Sequence, residues 1–120
     1  MTDDEIMQTG DIATLEAERH RVAKERAPIW AQYGPGGSWE YARKHWLSAT
    51  AAAMRLERQA KGEKVTEAAL DEAAHADAGY KRMIDECYTG REKLAQLDAQ
   101  IALLDGLIRL RRDEGFRRET

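Results

Sequence analysis

The sequence predicts an all-α fold: a helical hairpin or bundle with a long C-terminal coiled-coil-like helix, expected to oligomerise. Three observations carry that expectation. Charged residues make up 34% of the 120 positions, and much of the 42% apolar share is alanine. Such a balance belongs to long helices rather than to a deep globular core. Only two prolines and nine glycines are present, and β-branched residues are few, so a sandwich or barrel would lack its turns and strand formers. Apolar residues also recur at alternating intervals of three and four along most of the chain, the mark of one stripe on a helix.

At this length one domain is expected over residues 1–120. No apolar run approaches the roughly 20 residues needed to cross a bilayer, so no membrane partner is expected. Met1-Thr2-Asp3-Asp4-Glu5 is acidic where a secretory leader is basic. Cys87 is the single cysteine, which fits a reducing, cytoplasmic setting.

The first helix is expected over 11–33, with Asp11 as its N-cap and with Ile12, Leu15, Arg19, Val22, Arg26, Ile29 and Tyr33 on one stripe. Pro28 lies inside that stripe, where it removes a backbone hydrogen bond, so a kink or restart is expected there. Gly34-Pro35-Gly36-Gly37 then breaks the chain. Ser38 is the expected cap of a second helix over 39–61, with Glu40 favoured in its first turn. That helix repeats Trp39, Ala42, Trp46, Ala49, Ala53, Leu56 and Ala60 and is expected to close a hairpin on the first, its tryptophans forming a plug beside the glycine turn.

Gly62 ends the second helix and Thr66 caps a third, expected over 66–112 with a break near 76–79. From Tyr80 the spacing is unbroken through Met83, Cys87, Gly90, Leu94, Leu97, Ile101, Leu104, Ile108 and Arg111, about four heptads of coiled-coil pattern. The Leu94, Leu97, Ile101, Leu104 and Ile108 seam is the expected assembly face. Leu103, Leu107 and Leu110 widen the stripe beyond one seam, which implies more than one partner helix. Asp98 and Asp105 flank the seam and are read as charges that choose a partner through neighbouring arginines. Gly79, Gly90 and Gly106 each cost about 1 kcal/mol in an exposed helix, which suggests close packing or a bend at those points. Gly115-Phe116 is read as a C-terminal stop, with a frayed tail from Arg117 to Thr120.

Enzymatic motifs are missing. There is no GxGxxG, Walker-type loop, GxSxG elbow, HExxH or CxxC, and the glycine turn lacks the lysine and strand of a phosphate loop. Glu72 and His75 have the ExxH spacing of di-iron bundles, but those sites need two such pairs with further glutamates. His20, His45 and His75 fall on separate expected helices. Cys87 lies in a heptad core position, where a thiol behaves as a small hydrophobe. No catalytic residue, metal or cofactor is expected.

Net charge is −3, but it is unevenly spread: 34–62 carries +3, 63–90 carries −4 and 91–120 carries +1. Arg43, Lys44, Arg55, Arg58 and Lys61 line the second helix, with Trp39 and Tyr41 interleaved. Cations at that density beside rings are the ingredients of phosphate contact and base stacking. Arg109, Arg111, Arg112, Arg117 and Arg118 crowd the C-terminus, where they also complement the helix dipole.

Between Arg43 and Ala60 an alanine-rich helix ends in Arg55-Leu56-Glu57-Arg58, followed by a polar break and a stretch from Thr66-Glu67 to Asp77-Ala78-Gly79-Tyr80. The chain closes on Leu103-Leu104-Asp105-Gly106-Leu107-Ile108-Arg109-Leu110-Arg111-Arg112-Asp113-Glu114-Gly115-Phe116. Over roughly 43–116 this order resembles small helical phage proteins, and its end is similar to that of the recombination mediators of T-even phages, the UvsY family. The resemblance implies an oligomeric helical protein that binds single-stranded DNA in the cytoplasm of a bacterial host and helps load a recombinase. It carries the DNA face to the Arg55–Lys64 stretch and the assembly face to Leu94–Ile108. This chain differs in its acidic balance and in the three tryptophans between residues 30 and 46. The alternative reading is an adapter or an inhibitor of a host enzyme, acting through the acidic 63–86 surface or the C-terminal apolar stripe.

Overall fold

The computed structural model describes residues 10–119, with side chains over 10–115. The acidic N-terminus, the Phe116 contact and the side chains of Arg117 and Arg118 lie outside the described residues. Four helices follow one another: α1 Ile12–Tyr33, α2 Ser38–Ala60, α3 Glu67–Ala76 and α4 Ala78–Glu119. The fold is all-α. No helix among the described residues is long and apolar enough to cross a membrane.

The chain ends confirm several caps and move others. Asp11 caps α1, accepting the Thr14 N–H at 2.8 Å, and that bond holds its carboxyl below the usual carboxylate range. Helix α1 runs through Pro28 without restarting. Gly34 to Gly37 form a turn in which the Gly37 N–H donates to the Gly34 carbonyl at 2.9 Å, with Pro35 second and Gly36 third at φ 69°, the arrangement of a type II turn. The cap of α2 is Gly37, not Ser38. A Cβ on Gly37 would lie 2.6 Å from the Gln32 carbonyl oxygen, so only glycine fits against the end of α1.

Helix α2 ends in a Schellman motif. Gly62, at φ 73°, donates to Gln59 at 3.0 Å while Glu63 donates to Arg58 at 3.0 Å, which satisfies the last free carbonyls. Thr66 accepts the Ala69 N–H at 3.2 Å and starts α3. The expected break falls at Asp77, whose extended backbone stops α3 and whose carboxylate accepts the Gly79 N–H at 2.7 Å. Helix α4 then continues to Glu119, so Gly115 does not stop it.

The described residues group into two compact units: 10–30 with 92–119, and 31–91. In the first unit α1 lies antiparallel to the C-terminal part of α4. Leu15, Val22, Leu97, Leu104 and Ile108 form its buried core, with Ile12, Ile29, Ile101 and Leu107 packed around them. Each fully buried leucine contributes on the order of 2 kcal/mol. The partner of the α1 stripe within this unit is therefore α4. In the second unit α2 packs on α3, and Trp39, Leu70, Ala74 and Cys87 are its buried apolar side chains.

The inward face of α2 is not the expected one. Trp39 is buried and Trp46, Leu47, Thr50, Met54 and Arg58 are half-buried, whereas Ala42, Ala49, Ala53, Leu56 and Ala60 are exposed. A methyl group removes little apolar area from water, so the alanines do not decide which way the helix turns. The tryptophans belong to both candidate stripes, and Leu47 with Met54 select the adjoining one.

Candidate nucleic-acid interface

Every member of the basic and aromatic set read from the sequence lies on α2 or its exit, within the second unit. Their surroundings differ sharply. Trp39 is only 7% exposed, its indole N–H donates to the Met83 carbonyl at 3.2 Å, and the guanidinium carbons of Arg43 and Arg91 each stand 5.9 Å from the ring centroid. A ring placed in this way is a core anchor with cations on its faces. It cannot serve as a stacking platform, which corrects its assignment to the interface.

Arg43 is half-buried over that ring. Arg55 forms an ion pair with Glu67 on α3, so part of its charge is already neutralised. Arg58 is half-buried, and its carbonyl serves the Schellman motif. Lys61 is exposed but stands 3.2 Å from Glu57 on the preceding turn. Such exposed pairs are weak and are readily exchanged for another anion.

Tyr41 and Lys44 remain. Tyr41 is 77% exposed, Lys44 is exposed one turn later, and together with Gly36 and Glu40 they line a shallow hollow of about 150 Å³ at the start of α2. The position of this ring followed from the spacing, but its openness did not, because Trp39 and Tyr41 look equally available until the inward face of α2 is known.

The five residues read as an assembly face lie in the first unit. Leu94, Leu97, Leu104 and Ile108 are buried and Ile101 is half-buried, so the seam is covered within the chain by α1. Cys87 is buried and unpaired. Glu72 and His75 do not converge on a shared point: the His75 Nδ1 lies 2.7 Å from the Asp71 carbonyl, and its ring packs edge-on against Tyr80 at 4.9 Å. Among the described residues no group of three or more His, Cys, Asp or Glu is arranged to hold a metal ion. The groove between α2 and α3 is lined by Leu47, Ala51, Ala52, Leu70, Arg55 and Asp71, among others. No residue in it pairs a nucleophile with a base.

No known protein family, curated protein or solved structure matches this chain. Function is therefore read from the site itself.

Proposed function

We propose that the protein is a non-enzymatic helical accessory protein that binds single-stranded DNA as an assembly of copies, in the manner of a phage-type recombination mediator acting with a recombinase. The observation that carries this reading is the open ring of Tyr41 beside the open cation of Lys44. An aromatic face stacks on an unpaired base of any identity, and a lysine on the same edge neutralises the adjoining phosphate. Lys61 and Lys64 are exposed at the far end of α2, which extends the basic track from Lys44 over about 26 Å. Arg43, Arg55 and Arg58 lie along the same track as secondary contacts, and Trp39 supports the helix from beneath.

Fluorescence anisotropy of a labelled single-stranded oligonucleotide tests this at low and at physiological salt, with duplex DNA as the control. Binding is expected to prefer the single strand and to fall steeply with salt. Tyr41→Ala is expected to cost about 1–3 kcal/mol through lost stacking, and Lys44→Glu to lower both affinity and salt slope. Unchanged affinity after charge reversal at Lys44, Arg58 and Lys61 together would remove the interface from α2. No binding even at low salt would discard the DNA reading altogether.

A second reading, an adapter or inhibitor of a host enzyme, is favoured by one observation. Leu56 is 69% exposed amid exposed Ala49, Ala53 and Ala60, a helix face suited to another protein's groove. Leu56→Ser, which adds no charge beside Arg55, is expected to weaken such an interaction strongly while leaving the oligonucleotide titration unchanged.

A further inference from the structure

Two surfaces outside the Tyr41–Lys44 site are both partly apolar and carry opposite charge. The first is the groove between α2 and α3 in the second unit, about 340 Å³ in volume. Ala51, Ala52 and Leu70 give it an apolar floor, and Glu67 and Asp71 stand on its α3 wall. Arg55 engages Glu67. Among the described residues Asp71 has only His75 of its own helix as a charge partner, at 3.5 Å.

The second surface lies near the end of α4 in the first unit. Leu103 is 51% exposed and Leu110 is 56% exposed. They stand seven positions apart, on one line of the helix and two turns from each other. That line is distinct from the seam that packs on α1. Arg109 is exposed beside Leu110, and it has no ion-pair partner among the described residues.

We propose that the α2–α3 groove of one copy receives the Leu103–Leu110 edge of α4 from a second copy, with Arg109 of the incoming helix meeting Asp71. Charge supports that choice of occupant, because 63–90 carries −4 and 91–120 carries +1. The groove offers an apolar floor under an acidic wall, and the edge offers large apolar side chains next to a cation. The two members of the contact are different surfaces, so the association is heterologous: each copy receives one neighbour and is received by another, giving a ring or a filament. It takes place without nucleic acid, and it replaces the Leu94–Ile108 seam, which α1 already covers, as the route to an oligomer.

The test is analytical ultracentrifugation of the full chain, without DNA, over a wide concentration range. The wild-type chain is expected to self-associate. Leu110→Glu spoils the edge and Ala52→Trp fills the groove; both positions are exposed, and circular dichroism verifies that each variant folds. Each alone is expected to weaken self-association by roughly tenfold or more. Mixed together, the two variants are expected to form a heterodimer that grows no further, because one retains only a groove and the other only an edge. Asp71→Arg combined with Arg109→Asp is expected to restore the association that either change alone impairs. A wild-type chain that stays monomeric at every concentration overturns the proposal. So does a variant mixture that fails to pair, since one variant keeps an intact groove and the other an intact edge. DNA binding is scored separately by anisotropy, so failure of this contact and failure of the DNA reading are distinguishable.

Discussion

Arg19 sits within the apolar stripe of α1 and donates from Nε to the Asp105 carboxylate at 2.5 Å, and one heptad further on Arg26 makes the same contact with Asp98 at 2.5 Å. A rise of seven on α1 is matched by a fall of seven on α4. Two charge pairs of identical spacing thereby mark the antiparallel register, with Val22, Ile101 and Leu104 packed between them. The Asp105 carboxylate raises the pKa of the Arg19 guanidinium above its ordinary value, through the hydrogen bond first and the opposite charge second. Both pairs are part-exposed, so their value lies in choosing the register more than in stability.

Charge reversal checks that reading. Asp98→Arg is expected to cost about 0.5–1 kcal/mol, and Asp105→Arg to lower the melting temperature in the same direction. The double swap Arg19→Asp with Asp105→Arg is expected to recover most of the loss, and added salt to shrink it. Thermal melts of the three variants measure this. A double swap no more stable than Asp105→Arg alone would show that the pair does not set the register.

Two glycines of α4 make an opposed pair of predictions. A Cβ on Gly90 would fall inside the ring of Tyr33, whereas a Cβ on Gly106 would meet nothing. Gly90→Ala is expected to destabilise by about 1–3 kcal/mol, because Tyr33 must move away from the helix. Gly106→Ala is expected to stabilise by about 0.5–1 kcal/mol, through better helix propensity and a less free unfolded chain. Urea unfolding of both variants tests the contrast, and a destabilised Gly106→Ala would mean that another helix occupies that space.

The sequence carried the two strong stripes in full. Every residue placed on the α1 stripe, from Ile12 to Tyr33, and on the α4 stripe, from Tyr80 to Arg111, is buried or half-buried, because leucines, isoleucines and valine at regular spacing leave one solution. Asp98 and Asp105 were legible as partner-choosing charges, although the arginines they choose are in their own chain. The α2 face was not legible, because alanine has too little area to orient a helix. Nor was the pairing of α1 with α4, since periodicity shows that a stripe needs a partner without saying which. Tyr41 and Lys44 were legible as a ring and a cation three residues apart. Trp39 looked equivalent to Tyr41 until burial separated them.

Trp39 is expected to behave as a core residue in every assay. Trp39→Phe keeps the ring packed but leaves the Met83 carbonyl without its indole donor, a loss of about 1 kcal/mol. Trp39→Ala also opens a cavity and is expected to cost about 3–5 kcal/mol. Oligonucleotide affinity per folded molecule is expected to be unchanged in Trp39→Phe. A Phe variant that is fully stable yet binds DNA more weakly would return Trp39 to the interface.

Glu18 gives the stability a dependence on pH. It is the one buried charged residue among those described, and it lies one turn from Leu15 and Val22 on α1. Arg21 donates to both of its carboxylate oxygens, from Nε at 3.1 and 3.0 Å. Those hydrogen bonds hold the Glu18 carboxyl below its usual range, against burial, which pushes it up. A carboxyl with a lower pKa in the folded state than in the unfolded state adds stability that is complete above the unfolded value and disappears as pH falls through the folded one. Arg21 is half-exposed, which keeps the contribution to about 1 kcal/mol. The stability of the wild-type chain over Glu18→Gln is therefore expected to be constant around neutral pH and to shrink in acid. Denaturant unfolding of both chains from neutral pH into the acid range measures the difference, and two curves that stay parallel throughout would show that Glu18 is not the group that titrates.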